Sequence, residues 1–89
     1  MKLCFLSGLK EIVGQEEVEI DYTGRLTGLL EILSQRYGER LRMLLLDPET
    51  QGKKSAFVKV LVEGEDVAQT DPELRGEETV FLFLPIAGG

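Results

Sequence analysis

Thr79-Val80-Phe81-Leu82-Phe83-Leu84 is the stretch on which the fold turns. It has the aromatic and branched residues that suit a pleated strand, with a turn, Arg75-Gly76-Glu77-Glu78, before it and Pro85 after it. Side chains alternate across a strand, so Val80, Leu82 and Leu84 share one face while Phe81 and Phe83 share the other. A second apolar run, Leu3-Cys4-Phe5-Leu6, lies at the opposite end of the chain. Continuous apolarity suits a strand covered on both faces, which places residues 2–7 centrally in a sheet. The simplest arrangement sets these first and last strands side by side.

The residues between them supply the rest of the architecture. Gly8 and Gly14 bracket a short turn or helical connector over residues 9–13, and Glu17-Val18-Glu19-Ile20-Asp21 alternates as a half-buried second strand. Leu26, Leu29, Leu30, Leu33 and Tyr37 then fall on one helical face, with Gly38 as the C-cap and Thr23 or Thr27 as candidate N-caps. Gly28, near the first turn, lowers helix propensity by about 1 kcal/mol relative to Ala. An apolar cluster at 41–46 ends at Asp47-Pro48, and residues 49–55 read as a loop. Residues 56–62 form a strand, Glu63-Gly64-Glu65-Asp66 a turn, and the chain is briefly extended around Val67. Asp71-Pro72-Glu73-Leu74 reads as a single helical turn capped by Asp71.

The order is strand, strand, helix, strand, short strand, strand. It predicts an α+β fold, a β-grasp (ubiquitin-like) mixed sheet with one main helix packed on one face, although a ferredoxin-like or other small α+β sandwich also satisfies the pattern. Residues 1–84 form the domain and residues 85–89 an extended tail.

Composition narrows the chemistry. The 89 residues are 43% hydrophobic and 29% charged, which fits one small globular domain. A net charge of −6 argues against nucleic acid, whose phosphates need a basic face. No apolar run approaches the roughly 20 residues of a membrane span, and the first residues lack a signal peptide's pattern, so a cytoplasmic protein without membrane attachment is expected. The chain has no His and a single Cys, Cys4, which excludes a His-based triad, a dedicated zinc site and an internal disulfide. Cys4 itself reads as a small hydrophobe within a strand. The acidic turns around Glu16-Glu17 and 63–66 lack metal-ligand spacing, and no metal or bound cofactor is expected.

The di-glycine Gly88-Gly89 is the most informative element for function. Glycines lack a Cβ, so an enzyme can close around this backbone and take a terminal carboxylate into a narrow channel. Residues 85–89 reach about 17 Å when fully extended, so Pro85, Ile86 and Ala87 can carry Gly89 into another protein's active site. Phe81 and Phe83, if Val80, Leu82 and Leu84 fill the core, form a docking surface beside that tail, extended by Phe57, Lys59 and Leu61. The inverted register, with both phenylalanines in the core, is the alternative.

Phe5 with Leu9-Lys10-Glu11-Ile12-Val13-Gly14, Val62-Glu63-Gly64-Glu65-Asp66-Val67, Gly76-Glu77-Glu78-Thr79-Val80 and Leu84-Pro85-Ile86-Ala87-Gly88-Gly89 together resemble the MoaD/ThiS sulfur-carrier family, most of all the small subunit of molybdopterin synthase. The resemblance spans nearly the whole chain in the right order. It implies a carrier, not an enzyme, whose Gly89 carboxylate is adenylated by a ubiquitin-activating-type enzyme using ATP and converted to a thiocarboxylate. The sulfur would pass to a larger acceptor such as the molybdopterin synthase large subunit, in molybdenum cofactor biosynthesis. The loop Asp47-Pro48-Glu49-Thr50-Gln51-Gly52-Lys53-Lys54 also resembles carriers for cysteine biosynthesis. That use, tRNA thiolation, and ubiquitin-like conjugation of Gly89 to lysines remain alternatives.

Overall fold

A computed structural model describes residues 1–6, 8–47, 53–54, 58–67 and 71–84. The two apolar end segments do become neighbours. Strand β1 (Lys2–Phe5) runs parallel to β9 (Thr79–Phe83), with Leu3 opposite Val80 and Phe5 opposite Leu82. β2 (Glu17–Glu19) joins the other edge of β1 antiparallel, and β6 (Lys59–Val62) joins the other edge of β9 antiparallel. The short β7 (Glu65–Asp66) completes a five-stranded mixed sheet in the order β2-β1-β9-β6-β7. A parallel central pair flanked by hairpin-like partners, crossed by a helix, is the β-grasp arrangement.

The main helix α2 (Leu26–Tyr37) buries the side chains that its spacing predicts: Leu26, Leu29, Leu30 and Leu33 have no exposed surface. They meet Leu3, Phe5, Val60, Val80 and Leu82 from the sheet, so one face of the sheet and one face of the helix form the core. Tyr37 closes it with an edge-to-face contact to Phe5, ring centroids 6.2 Å apart. Ser34 is buried among these leucines because its hydroxyl donates back to the Leu30 carbonyl at 2.8 Å. The connector at 9–13 is the short helix α1 (Leu9–Val13), and the apolar cluster at 41–46 lies mostly in a third helix, α3 (Glu39–Leu45), which packs on α1 and α2.

Several local expectations need correction. β1 is central, but its second face is not covered: Lys2 is exposed and Cys4 only half-buried. The segment 71–74 is not a helical turn. Its Glu73–Leu74 is a strand, β8, paired with β3 (Gly24–Arg25) immediately before α2. Asp71 is indeed a cap, but of the main helix 44 positions away, where Oδ1 accepts the Thr27 N–H and Oδ2 the Thr27 hydroxyl, both at 2.9 Å. The Pro72 carbonyl accepts the Leu26 N–H at 3.0 Å. Neither Thr23 nor Thr27 caps α2 with its own side chain. Local sequence proposes a cap from the nearest polar residue, whereas the orphan N–H groups of a helix start donate to any acceptor that the fold brings there.

Gly28 has a tertiary reason too. The Tyr22 ring lies over this turn and donates its hydroxyl to the Arg25 carbonyl at 2.7 Å, so a Cβ at Gly28 would collide with the Tyr22 hydroxyl. Part of the loop expected at 49–55 is also paired, since Lys53–Lys54 (β5) runs antiparallel to Leu46–Asp47 (β4).

Candidate functional site

The strand alternation sorts the central sheet into two different surfaces. Val80 and Leu82 are fully buried under the helix, so Phe81 and Phe83 turn to the opposite, uncovered face, where both are half-buried. The inverted register is therefore not the one adopted. The strand register places Cys4 of β1 beside Phe81 of β9, and Phe81 beside Leu61 of β6, in one row across the sheet. Phe83 lies next along β9, opposite Lys59. The result is an apolar stripe, Cys4, Phe81, Leu61 and Phe83, left partly open to solvent.

Ion pairs border the stripe on both sides. Lys59 Nζ meets Asp66 Oδ2 at 2.8 Å, and Lys2 Nζ meets Glu17 Oε1 at 3.6 Å. These pairs are solvent-facing and contribute little to stability, but they put polar rims around an apolar centre, the usual organisation of a recognition surface. Cys4 lies within that centre. Its thiol is pushed up by burial and then by the Glu17 charge, with Lys2 opposing, so it stays protonated at neutral pH and is a poor nucleophile. Its role on this face is apolar contact.

The last described residues are held in place. The Leu6 N–H donates to the Leu82 carbonyl at 2.9 Å, continuing the β1–β9 ladder to its end, and Leu84 packs against the edge of the core. Gly8 lies against it with φ +83°, and a Cβ there would come within 2.8 Å of the Leu84 side chain. Gly8 thus serves twice, as a left-handed turn after β1 and as the seat of Leu84. The sequence shows this glycine only as a bracket to α1; its contact with a residue 76 positions later has no local signal.

Of the residues singled out by sequence, Phe81, Phe83 and Lys59 lie together on the open face, with Leu61 beside them. Phe57, Pro85, Ile86, Ala87, Gly88 and Gly89 lie outside the described residues. Among the described residues there is no cluster of His, Cys, Asp and Glu fit to hold a metal ion, and no helix is long and apolar enough to cross a membrane.

Comparison with known proteins agrees with this architecture. Residues 4–89 match the sequence profile of the ThiS family. The chain matches none of the curated proteins compared. Among solved structures, the Haloferax volcanii HVO 2177 protein is similar at 28% identity and a TM-score of 0.78, with 99% of this chain and 84% of that chain covered. The small archaeal modifier protein 1 of Methanosarcina acetivorans superposes with a TM-score of 0.80 at 16% identity, covering 99% and 94% of the two chains. The Amycolatopsis orientalis BexX/CysO complex contains a chain matching at a TM-score of 0.77 and 21% identity, with 99% and 98% covered. The latter two likenesses establish the shared fold.

Proposed function

We infer, because the chain belongs to the ThiS family over residues 4–89, that it is a sulfur carrier whose working group is the carboxylate of Gly89, and that it supplies sulfur for molybdopterin synthesis. The observation that carries the reading is the continuity of β9. One strand presents Phe81 and Phe83 on an uncovered face and, one residue after its end, delivers Leu84 to a fixed exit beside Gly8. A partner that docks on the stripe receives the tail from a defined point, and fixed geometry is what an enzyme needs to bring a reacting carboxylate into its site.

The chemistry belongs to the partner. A free carboxylate is a poor electrophile, so a ubiquitin-activating-type enzyme first joins it to the AMP portion of ATP, releasing pyrophosphate. A sulfur nucleophile then attacks the acyl carbon and AMP leaves, which places sulfur where a carboxylate oxygen stood. The thiocarboxylate sulfur next bonds to a carbon of the precursor held by the acceptor, in this reading the large subunit of molybdopterin synthase, and water cleaves the resulting thioester, leaving the sulfur on the precursor and the carboxylate on Gly89. The carrier contributes the reacting carboxylate, the reach of residues 85–89 and the docking face, and needs no metal or bound cofactor of its own. In this reading the carrier works in the cytoplasm.

The test is the intact mass of the protein after incubation with its activating enzyme, ATP and a sulfur donor. A gain equal to the difference between sulfur and oxygen at one site, absent when Gly89 is deleted, is the expected result. An unchanged mass under conditions that consume ATP would overturn it. Conjugates joining Gly89 to lysine amines would mark a protein modifier instead, and thiocarboxylate that supports cysteine synthesis or tRNA thiolation, but not molybdopterin formation, would move the carrier to another acceptor.

A further inference from the structure

α1 and α3 leave between them a groove of about 660 Å³, walled by Ile12 from α1, Met43 and Leu44 from α3, and Leu84, the residue that follows β9. Among the described residues three large apolar side chains are exposed: Met43 at 65%, Leu6 at 43% and Ile32 at 37%. Met43 lines the groove. Leu6 stands at the same end of the sheet, its N–H donating to the Leu82 carbonyl and its own carbonyl accepting the Leu9 N–H at the start of α1. Two of the three therefore flank the place where the chain leaves β9, and such clustering marks a contact surface where single scattered residues would not.

The groove is also charged unevenly. Arg40 on α3 and Glu11 on α1 both line it. Arg42, two residues on, is paired with Glu31 at 3.3 Å, whereas Arg40 has no salt bridge among the described residues. In a chain of net charge −6, an unpaired guanidinium beside an apolar wall suits a carboxylate from another molecule. Glu11 repels such a carboxylate, so the acidic group belongs on the α3 side.

We propose that the groove is a second docking site for the activating enzyme, filled by an apolar segment of that enzyme with a carboxylate opposite Arg40. The identity of the occupant rests on the carrier reading above. An enzyme that takes the chain beyond Leu84 must approach Leu84 itself. Phe83 turns to the open face while Leu84 packs against the core, and their Cα atoms are only about 3.8 Å apart. Within one residue the enzyme meets the stripe on one side and the groove on the other. Contact on the stripe alone would let the domain pivot; contact on both sides fixes the direction in which the chain leaves it.

Pyrophosphate exchange into ATP, with the full-length carrier and its activating enzyme, measures KM for the carrier and kcat separately. Met43→Ser gives up a mostly exposed side chain and is expected to raise KM about tenfold, with kcat and the unfolding midpoint unchanged. Ile32→Ser removes an exposed apolar side chain that does not line the groove, and is expected to leave KM as it was. Arg40→Gln is expected to raise KM about threefold and to flatten its increase with salt. An unchanged KM in Met43→Ser, or an equal rise in Ile32→Ser, would overturn the groove as a docking site. Unchanged KM and salt dependence in Arg40→Gln would overturn the acidic complement. Normal activation of Met43→Ser with slower sulfur delivery would give the groove to the acceptor and overturn the activating enzyme as its occupant. A wild type that supports no exchange would instead overturn the carrier reading, and the occupant with it, so the two failures are told apart.

Discussion

The two faces of the sheet are built from alternate residues of the same strands, and they have opposite characters. On the helix side Leu3, Phe5, Val60, Val80 and Leu82 are completely buried. On the other side Cys4, Leu61, Phe81 and Phe83 are half-buried within a frame of solvent-facing ion pairs. Apolar residues on the first face are explained by folding alone. Those on the second are not, since the domain already has its core, and an apolar stripe with polar rims is what a protein keeps for a partner. The division is set at the level of single residues: Leu82 is buried in the core, whereas Phe81, its neighbour in sequence, lies half-buried on the opposite face.

A matched pair of substitutions puts that division at risk. Leu82→Ala is expected to cost about 3 kcal/mol in denaturant unfolding, through lost burial and the cavity left under α2. Phe81→Ala removes a larger side chain yet is expected to cost less, about 2 kcal/mol, because the half-buried ring lies on an open face where its removal leaves no enclosed cavity. Its loss is expected to appear in the activation assay, as weaker engagement of the activating enzyme by a fully folded carrier. Equal stability losses for the two would mean that the open face is a second core, and the comparison would fail.

Asp71→Ala sharpens the account of how the covered face is covered. Asp71 and Pro72 meet the first N–H groups of α2 from 44 and more residues away, so they fix where the helix begins as well as satisfying it. Loss of about 1 kcal/mol is expected, as for other N-cap residues, with faster amide exchange at Thr27. Asp71→Asn, which keeps an acceptor, is expected to recover part of it. No recovery would show that charge, not the hydrogen bond, seats the helix.

Much of this was legible in the sequence where one element's own periodicity settled the matter. The alternation of residues 79–84 and the spacing of Leu26, Leu29, Leu30 and Leu33 each specify a face, and the two faces specify the core. What the sequence did not disclose depends on distant parts of the chain meeting. Asp71 before Pro72 has every local mark of a helical turn, but its carboxylate finds better donors on α2. Gly8 is punctuation until Leu84 packs against it, and Gly28 is a weak helix residue until Tyr22 lies over it. Likewise Leu3-Cys4-Phe5-Leu6 reads as buried on both sides because a row of half-exposed apolar residues and a covered strand look alike in composition.

The smallest expected effect concerns what keeps each residue on its proper face. A slip of one residue between β1 and β9 would exchange the two surfaces, so the start of that pairing must be fixed. It begins at Glu78, whose carbonyl accepts the Lys2 N–H at 3.1 Å. The same residue's carboxylate is enclosed by its own turn: Oε2 accepts the Arg75 N–H at 2.8 Å, and Oε1 accepts those of Gly76 and Glu77 at 3.0 and 3.1 Å. The Arg75 bond is the main cause of a lowered Glu78 pKa, with partial burial opposing and the other backbone donors adding to it. A carboxyl lowered in the folded state stabilises the protein fully above its unfolded pKa, and the contribution fades as pH falls through the folded value. The stability gap between the wild type and Glu78→Gln is therefore expected to be steady near neutrality and to narrow at acid pH, accompanied by faster exchange of the Lys2 amide in the variant. A gap that stays constant as the carboxylates protonate would mean that the turn is held by its shape and not by the Glu78 charge, and the register of the two faces would then rest on the burial of Leu3 and Phe5 opposite Val80 and Leu82.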